Sequence, residues 1–239
     1  MNNTISYVSS GQLGDFIHQL SVINEIYIKS GRKGILFISE QDSPFRFGIK
    51  KAYEDTYDII TSQDYIKEYK IYQGEHIDIN LSYWRNFPNI HQNTNWYEIF
   101  KQFYNVEWGT HPWLKFTKNE KWKDKVLINT TITRNIYNID FKDIYEKHGS
   151  SLLFITNNMN DYFHFKNYYN IDIECEIIEA LPETCIAIAS CKMFIGSLSA
   201  YLTIAHAVHD VPHIIGLSDC QDEINRMSNL QTYICSIVY

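Results

Sequence analysis

Residues 5–39 read ISYVSSGQLGDFIHQLSVINEIYIKSGRKGILFIS, and the changes of pattern inside this stretch decide the fold class. Ile5 to Ser9 is a short β-branched and aromatic run, the composition of a strand. Ser10-Gly11-Gln12-Leu13-Gly14-Asp15 then brings two glycines into a short polar segment, which marks a tight turn. From Asp15 the apolar residues Phe16, Ile17, Leu20, Ile23, Ile26 and Tyr27 recur at helical spacing, and the pattern stops at Ser30-Gly31, a C-terminal cap signal. Gly34 to Ser39 is a continuous apolar run, as in parallel strands covered on both faces. Strand, glycine-rich turn, helix and strand make a βαβ unit.

Farther along, the signal weakens from Asp42 to Asn95, where strands are expected at Tyr69 to Tyr72 and Ile77 to Leu81. Trp84, Trp96, Trp108 and Trp113 fall in or near an aperiodic stretch, Asn86 to Pro112, and suit either sugar stacking or core packing. The pattern restarts where the charged Lys121 to Lys125 gives way to Val126-Leu127-Ile128-Asn129-Thr130-Thr131. Strands are expected at Leu152 to Thr156, Ile173 to Ile178, Met193 to Gly196 and His213 to Leu217. Helices are expected over Ile139 to His148, Tyr162 to Tyr169, Pro182 to Cys191 and Ser199 to Val208. This alternation predicts an α/β protein of two Rossmann-like lobes, residues 1–115 and 116–239, each a parallel sheet flanked by helices.

Composition narrows the function classes. With 239 residues, 45% hydrophobic and 21% charged, the chain has the make-up of a soluble globular protein. A net charge of -7 argues against electrostatic wrapping of nucleic acid. Cys175, Cys185, Cys191, Cys220 and Cys235 lack the spacing of a zinc site and read as reduced thiols. Met1 to Ser10 has no signal-peptide pattern, and no apolar run approaches the roughly 20 residues that span a bilayer. A cytoplasmic protein without membrane insertion is expected. His206 and His209 lack carboxylate or Cys partners in sequence, and Asp140, Asp143, Asp219 and Asp222 do not form a metal-binding pair, so neither metal nor cofactor is expected.

Candidate sites lie where strand ends meet helix starts, the usual ligand position in open α/β sheets. Gly11 to Asp15 is the first; Asp15 suits either a helix N-cap or a carboxylate presented to a ligand. Its spacing is not GxGxxG, which gives a nicotinamide cofactor no support. Gly196-Ser197-Leu198-Ser199-Ala200 is the second, with hydroxyls and free helix N–H groups suited to a diphosphate, or an ordinary Ser cap. Thr130-Thr131-Ile132-Thr133-Arg134 is the third; Arg134 is either a phosphate clamp or a surface charge.

Two segments together resemble the GT-B glycosyltransferases of the ADP-heptose:lipopolysaccharide heptosyltransferase type, glycosyltransferase family 9. GQLGDFIHQLSVINEIYIKSGRKGILFIS is similar to that family's opening turn, helix and second strand. LPETCIAIASCKMFIGSLSAYLTIAHAVHDVPHIIGL is similar to its nucleotide-sugar segment. The resemblance implies a GT-B-like fold and an inverting, metal-independent transfer of a sugar from a nucleotide-diphosphate donor to a hydroxyl of a glycan-type acceptor. It implies that Asp15 is the general base, with Gly11, Gln12 and Gly14 on the acceptor side. Gly196, Ser197, Ser199 and Ala200, with Thr130, Thr131 and Arg134, then bind the donor phosphates. Leu198 stands where many relatives carry an acidic residue, which keeps a non-catalytic nucleotide- or sugar-binding protein as an alternative. A sugar-nucleotide epimerase is another, with His18 and Glu179 as its acid and base.

Overall fold

The computed structural model describes residues 3–87, 90, 95–217 and, as backbone, 236–237. Asp219, Asp222, Cys220 and Cys235 lie outside the described residues. The chain forms two parallel sheets. In the first, β1 (Thr4–Ser9), β2 (Lys33–Ile38), β3 (Ile66–Ile71) and β4 (Ile79–Asn80) lie in the order β3-β2-β1-β4. The second contains β5 (Val126–Asn129), β6 (Leu152–Thr156), β7 (Glu174–Ile177), β8 (Met193–Ser197), β9 (His213–Gly216) and β10 (Ser236–Ile237), in the order β10-β9-β8-β5-β6-β7. Each sheet starts at an interior strand, winds outward one way, and then restarts on the other side. That is the Rossmann-type arrangement, and it leaves a crevice between β1 and β4 and another between β5 and β8.

The helices that flank the sheets are α1 (Leu13–Ser30), α2 (Ile49–Thr61), α3 (Trp96–Tyr104), α4 (Phe141–His148), α5 (Met159–Tyr169), α6 (Leu181–Ser190) and α7 (Ala200–Val208). Local chemistry sets most of their ends. Asn95, Asp140 and Asn158 accept hydrogen bonds from the first turns of α3, α4 and α5. Gly31 ends α1 at φ 69°, in the left-handed region that glycine adopts without a Cβ penalty, and its N–H reaches Tyr27 O at 2.7 Å.

Packing explains how two sheets become one body. Along the strands of the second sheet the buried residues alternate between two cores. Leu127, Leu153, Ile155, Phe194 and Ile215 enter the core shared with the first lobe. Val126, Ile128, Phe154, Ile195 and Ile214 enter a separate core beneath α4 and α5. The shared core runs from α1 (Phe16, Ile17, Leu20) to α7 (Leu202, Ile204, Ala205) without a break. Trp84, Trp108, Trp113 and Trp122 belong to it and are at most 1% exposed, so their role is packing. Each such ring contributes on the order of 3 kcal/mol or more when truncated to Ala. Trp113 also stitches the lobes by hydrogen bonds: Nε1 donates to Ile17 O at 2.9 Å, and its backbone N–H donates to Ala207 O at 2.9 Å.

The structure adds elements that the sequence pattern did not resolve. Among them are α2, α3 and β10, and α1 begins at Leu13 rather than at Asp15. The α2 stretch IKKAYEDTYDIIT buries only Thr56, Ile59 and Ile60, which leaves its helical period diluted by charge and tyrosine.

Candidate functional site

Two helix N-termini meet where the crevices of the two sheets face each other. In the first lobe β1 ends at Ser9, and Ser10 is tied to the segment that follows β4: Ser10 N donates to Ser82 Oγ at 3.0 Å. Gly11 takes φ 114°, open only to glycine at low cost, and the chain turns into α1. Gln12 is the N-cap of α1 and makes no side-chain cap bond; Asp15 sits in the first turn and is not the cap. Its carboxylate Oδ2 instead accepts from Arg85 Nη2 at 2.6 Å.

In the second lobe β5 runs into the turn Thr131 to Arg134, closed by Arg134 N donating to Thr131 O at 2.9 Å. Asp161, in the first turn of α5, holds this turn from the side by accepting from Ile132 N at 2.9 Å. β8 runs through Ser197 and Leu198 into α7, with Ser199 at the N-cap position. Ser199 makes no cap hydrogen bond, and its Oγ is buried without a partner among the described residues. The first N–H groups of α7 therefore have no side-chain cap, and the helix dipole adds partial positive charge there. Thr130 Oγ1 and Ser197 Oγ, just behind this loop, are likewise buried and without partners.

These parts enclose a cleft of about 430 Å³ lined by both lobes. Of the residues singled out from sequence, Gln12, Gly14, Asp15, Thr131, Arg134, Ser199 and Ala200 line it together. Gly11, Thr130, Gly196 and Ser197 stand behind its wall; a Cβ on Gly196 would meet the Phe194 ring at 2.5 Å, so close packing there requires glycine. Arg46, Asn158, Asp161 and Thr203 also line the cleft and were not anticipated; Trp96, one of the tryptophans suited to sugar stacking or core packing, lines it too. Asn158-x-x-Asp161 is an N-cap followed by a first-turn acid, and its spacing was the signal available in the sequence.

His18 lies on the cleft floor, 3% exposed, with Nε2 3.2 Å from Thr203 Oγ1 of the other lobe. Burial pushes its pKa down to about 3, so at neutral pH the ring is uncharged. Glu179 is exposed and outside the cleft wall, so His18 and Glu179 do not converge as an acid and base pair. His206 and His209 do not share a site either: His206 is fully buried and His209 ends α7 at φ 62°. Among the described residues no group of three or more His, Cys, Asp or Glu is placed to hold a metal ion, and no helix is long and apolar enough to cross a membrane.

No family model and no curated protein matches the chain by sequence. Solved structures do match it. The chain shares the two-lobed GT-B-like fold of glycosyltransferase family 9. The glycosyl transferase family 9 protein from Veillonella parvula aligns over 100% of this chain and 87% of its own, with a TM-score of 0.60 at 11% identity. E. coli heptosyltransferase WaaC with ADP aligns over 98% of this chain and 92% of its own, with a TM-score of 0.61 at 10% identity. E. coli ADP-heptose lps heptosyltransferase II gives 0.57 at 10% identity, over 99% and 90% of the two chains. The agreement is one of fold, and it extends over both lobes.

Proposed function

We propose that this protein is a glycosyltransferase that moves a sugar from a nucleoside-diphosphate donor to a hydroxyl of a glycan-type acceptor. The observation that carries the reading is the cleft itself: a carboxylate from one lobe faces an uncapped helix N-terminus from the other. Asp15 takes the proton of the acceptor hydroxyl as that oxygen bonds to the anomeric carbon. The bond from that carbon to the diphosphate breaks, and its electron pair leaves on the diphosphate oxygen. The N–H groups of α7, Ser199 Oγ and Arg134 receive that charge in place of a metal ion. One displacement inverts the anomeric centre. Asp161 and Asn158 line the same cleft, and in this reading they accept donor hydroxyls. The structural neighbours whose descriptions name ADP and ADP-heptose support an adenosine donor.

Nucleoside diphosphate binding tests the reading. A ligand that binds only the folded chain adds about 2.7 kcal/mol of stability at a hundredfold excess over Kd. A rise in Tm with ADP, UDP or GDP that is lost in Ser199→Ala/Arg134→Ala is expected. No rise with any of them overturns the assignment. Binding without release of nucleotide from any nucleotide sugar identifies a binding protein instead.

A further inference from the structure

Two residues past β4, Ser82 Oγ accepts from Ser10 N, and a 3₁₀ turn, Tyr83–Asn86, starts on the next residue. The turn folds Arg85 back over its neighbour, with the guanidinium carbon 4.3 Å from the centroid of the Trp84 ring. From there Nη2 reaches Asp15 Oδ2 at 2.6 Å. Room for the guanidinium exists because residue 11 is glycine: a Cβ there would stand 2.3 Å from Nη2. The Arg85 side chain is 17% exposed and is not part of the cleft wall, whereas Asp15 is. The cation therefore approaches the carboxylate from outside the cleft wall.

We propose that Arg85 is the positioning residue for Asp15, holding one carboxylate oxygen so that the other meets the acceptor hydroxyl. The proposal rests on the glycosyltransferase reading. Its physical reason lies in the start of α1. Gln12 provides no side-chain cap, so the first N–H groups of the helix are the strongest nearby donors for an untethered Asp15. Without Arg85 the carboxylate turns back onto its own helix, away from the cleft. A guanidinium held against the Trp84 ring donates from a fixed direction, which a flexible lysine does not. Arg85 touches neither donor nor acceptor in this scheme and acts through Asp15 alone.

Turnover of the full chain, read as nucleoside diphosphate released from ADP-heptose, UDP-glucose and GDP-mannose with purified lipopolysaccharide as the hydroxyl acceptor, tests this in Arg85→Ala, Asp15→Asn and the double variant. A base out of position costs on the order of 10²-fold, so Arg85→Ala is expected to lower kcat by about that factor. ADP affinity is expected to stay within about twofold of wild type, because the donor site is untouched. Free guanidinium ion is expected to restore part of the Arg85→Ala rate. The double variant is expected to be no slower than Asp15→Asn and to gain nothing from guanidinium. A wild-type rate in Arg85→Ala overturns the proposal, as does a double variant slower than Asp15→Asn. So does a loss of rate matched by losses of ADP affinity and Tm without rescue, the mark of a purely structural ion pair. If wild type neither binds nucleoside diphosphates nor releases them, the glycosyltransferase reading itself is overturned, and the proposal with it.

Discussion

Gly14 of α1 lies against Ala200 of α7: a Cβ built on Gly14 would stand 3.7 Å from both Cα and N of Ala200, and 3.2 Å from Thr203 Oγ1. The N-termini of two helices from two sheets thus abut with a glycine as the spacer. Thr203 Oγ1 is held in place, donating to Ser199 O at 3.2 Å and lying 3.2 Å from His18 Nε2. It has no easy way to give ground. Gly14→Ala is therefore expected to destabilise the fold by about 1 kcal/mol, the lower end for overpacking, despite alanine's better helix propensity. Urea unfolding checks the sign, and nucleotide titration checks the expected loss of ADP affinity as the two helix ends are pushed apart.

Asp15→Asn keeps the shape of the side chain and removes its ability to take a proton. A general base is worth on the order of 10² to 10⁴ in rate. A fall in kcat of that size, with ADP affinity retained, is the expected outcome in a nucleotide-release assay. Retention of full activity would move the base elsewhere in the cleft.

Ser199→Ala is expected to act with opposite signs on stability and binding. The hydroxyl is buried without a partner in the free protein, so its removal leaves stability unchanged or raises it by about 1 kcal/mol. In the proposed donor complex the same hydroxyl meets a phosphate oxygen, so loss of a charge-assisted hydrogen bond of about 1.5 to 3 kcal/mol is expected there. Unfolding of the free protein, paired with ADP calorimetry, reads both. A variant that is both destabilised and unaltered in binding would return Ser199 to an ordinary helix cap.

Acid is expected to weaken the fold from about pH 6.5 downward. Burial depresses the pKa of His18 to about 3 and of His213 to about 4, and His206 is driven down by burial and by the histidines around it. The unfolded chain takes up these protons near pH 6.5, and the folded chain resists them until the depressed values are reached. Stability is therefore whole above pH 6.5 and falls as pH drops toward 4. The rings face one another across the lobes: His206 lies 5.8 Å from His18 of α1 and 4.8 Å from His213 of β9, centroid to centroid. Trp108 packs against both His18 and His206, and Thr203 closes the side toward the cleft. His206→Leu removes two ring nitrogens that have no partner among the described residues, so at pH 7 it is expected to be neutral or stabilising by about 1 kcal/mol. It is also expected to flatten the decline of the urea midpoint between pH 7 and pH 5. An unchanged slope would place the acid sensitivity elsewhere.

The sheet architecture was legible from sequence wherever one face or both faces of an element are buried. LLFIT became β6 at the same residues, because a strand covered on both sides writes its burial as an unbroken apolar run. The α1 period survived for the same reason, since residues 16–25 are all buried. Elements buried along a narrow stripe, such as α2, left too faint a period. The three loops at the cleft were legible as well, because each joins the carboxyl end of a parallel strand to a helix, where open α/β sheets leave their crevices.

Pairings across the fold were decided by tertiary structure. Asp15 and Arg85 are 70 positions apart, and no local pattern announces that a 3₁₀ turn after β4 will return a guanidinium to the first turn of α1. Asp161 reaches Ile132, and His18 reaches Thr203, only because strand order and helix packing bring them together. Local sequence thus determined the well-buried strands and helices and the strand-to-helix loops at the cleft, since those follow from burial period and backbone freedom. Which charge holds the carboxylate, which hydroxyls stay unpartnered, and how closely the two helix ends approach depend on long-range packing, and the fold alone supplies it.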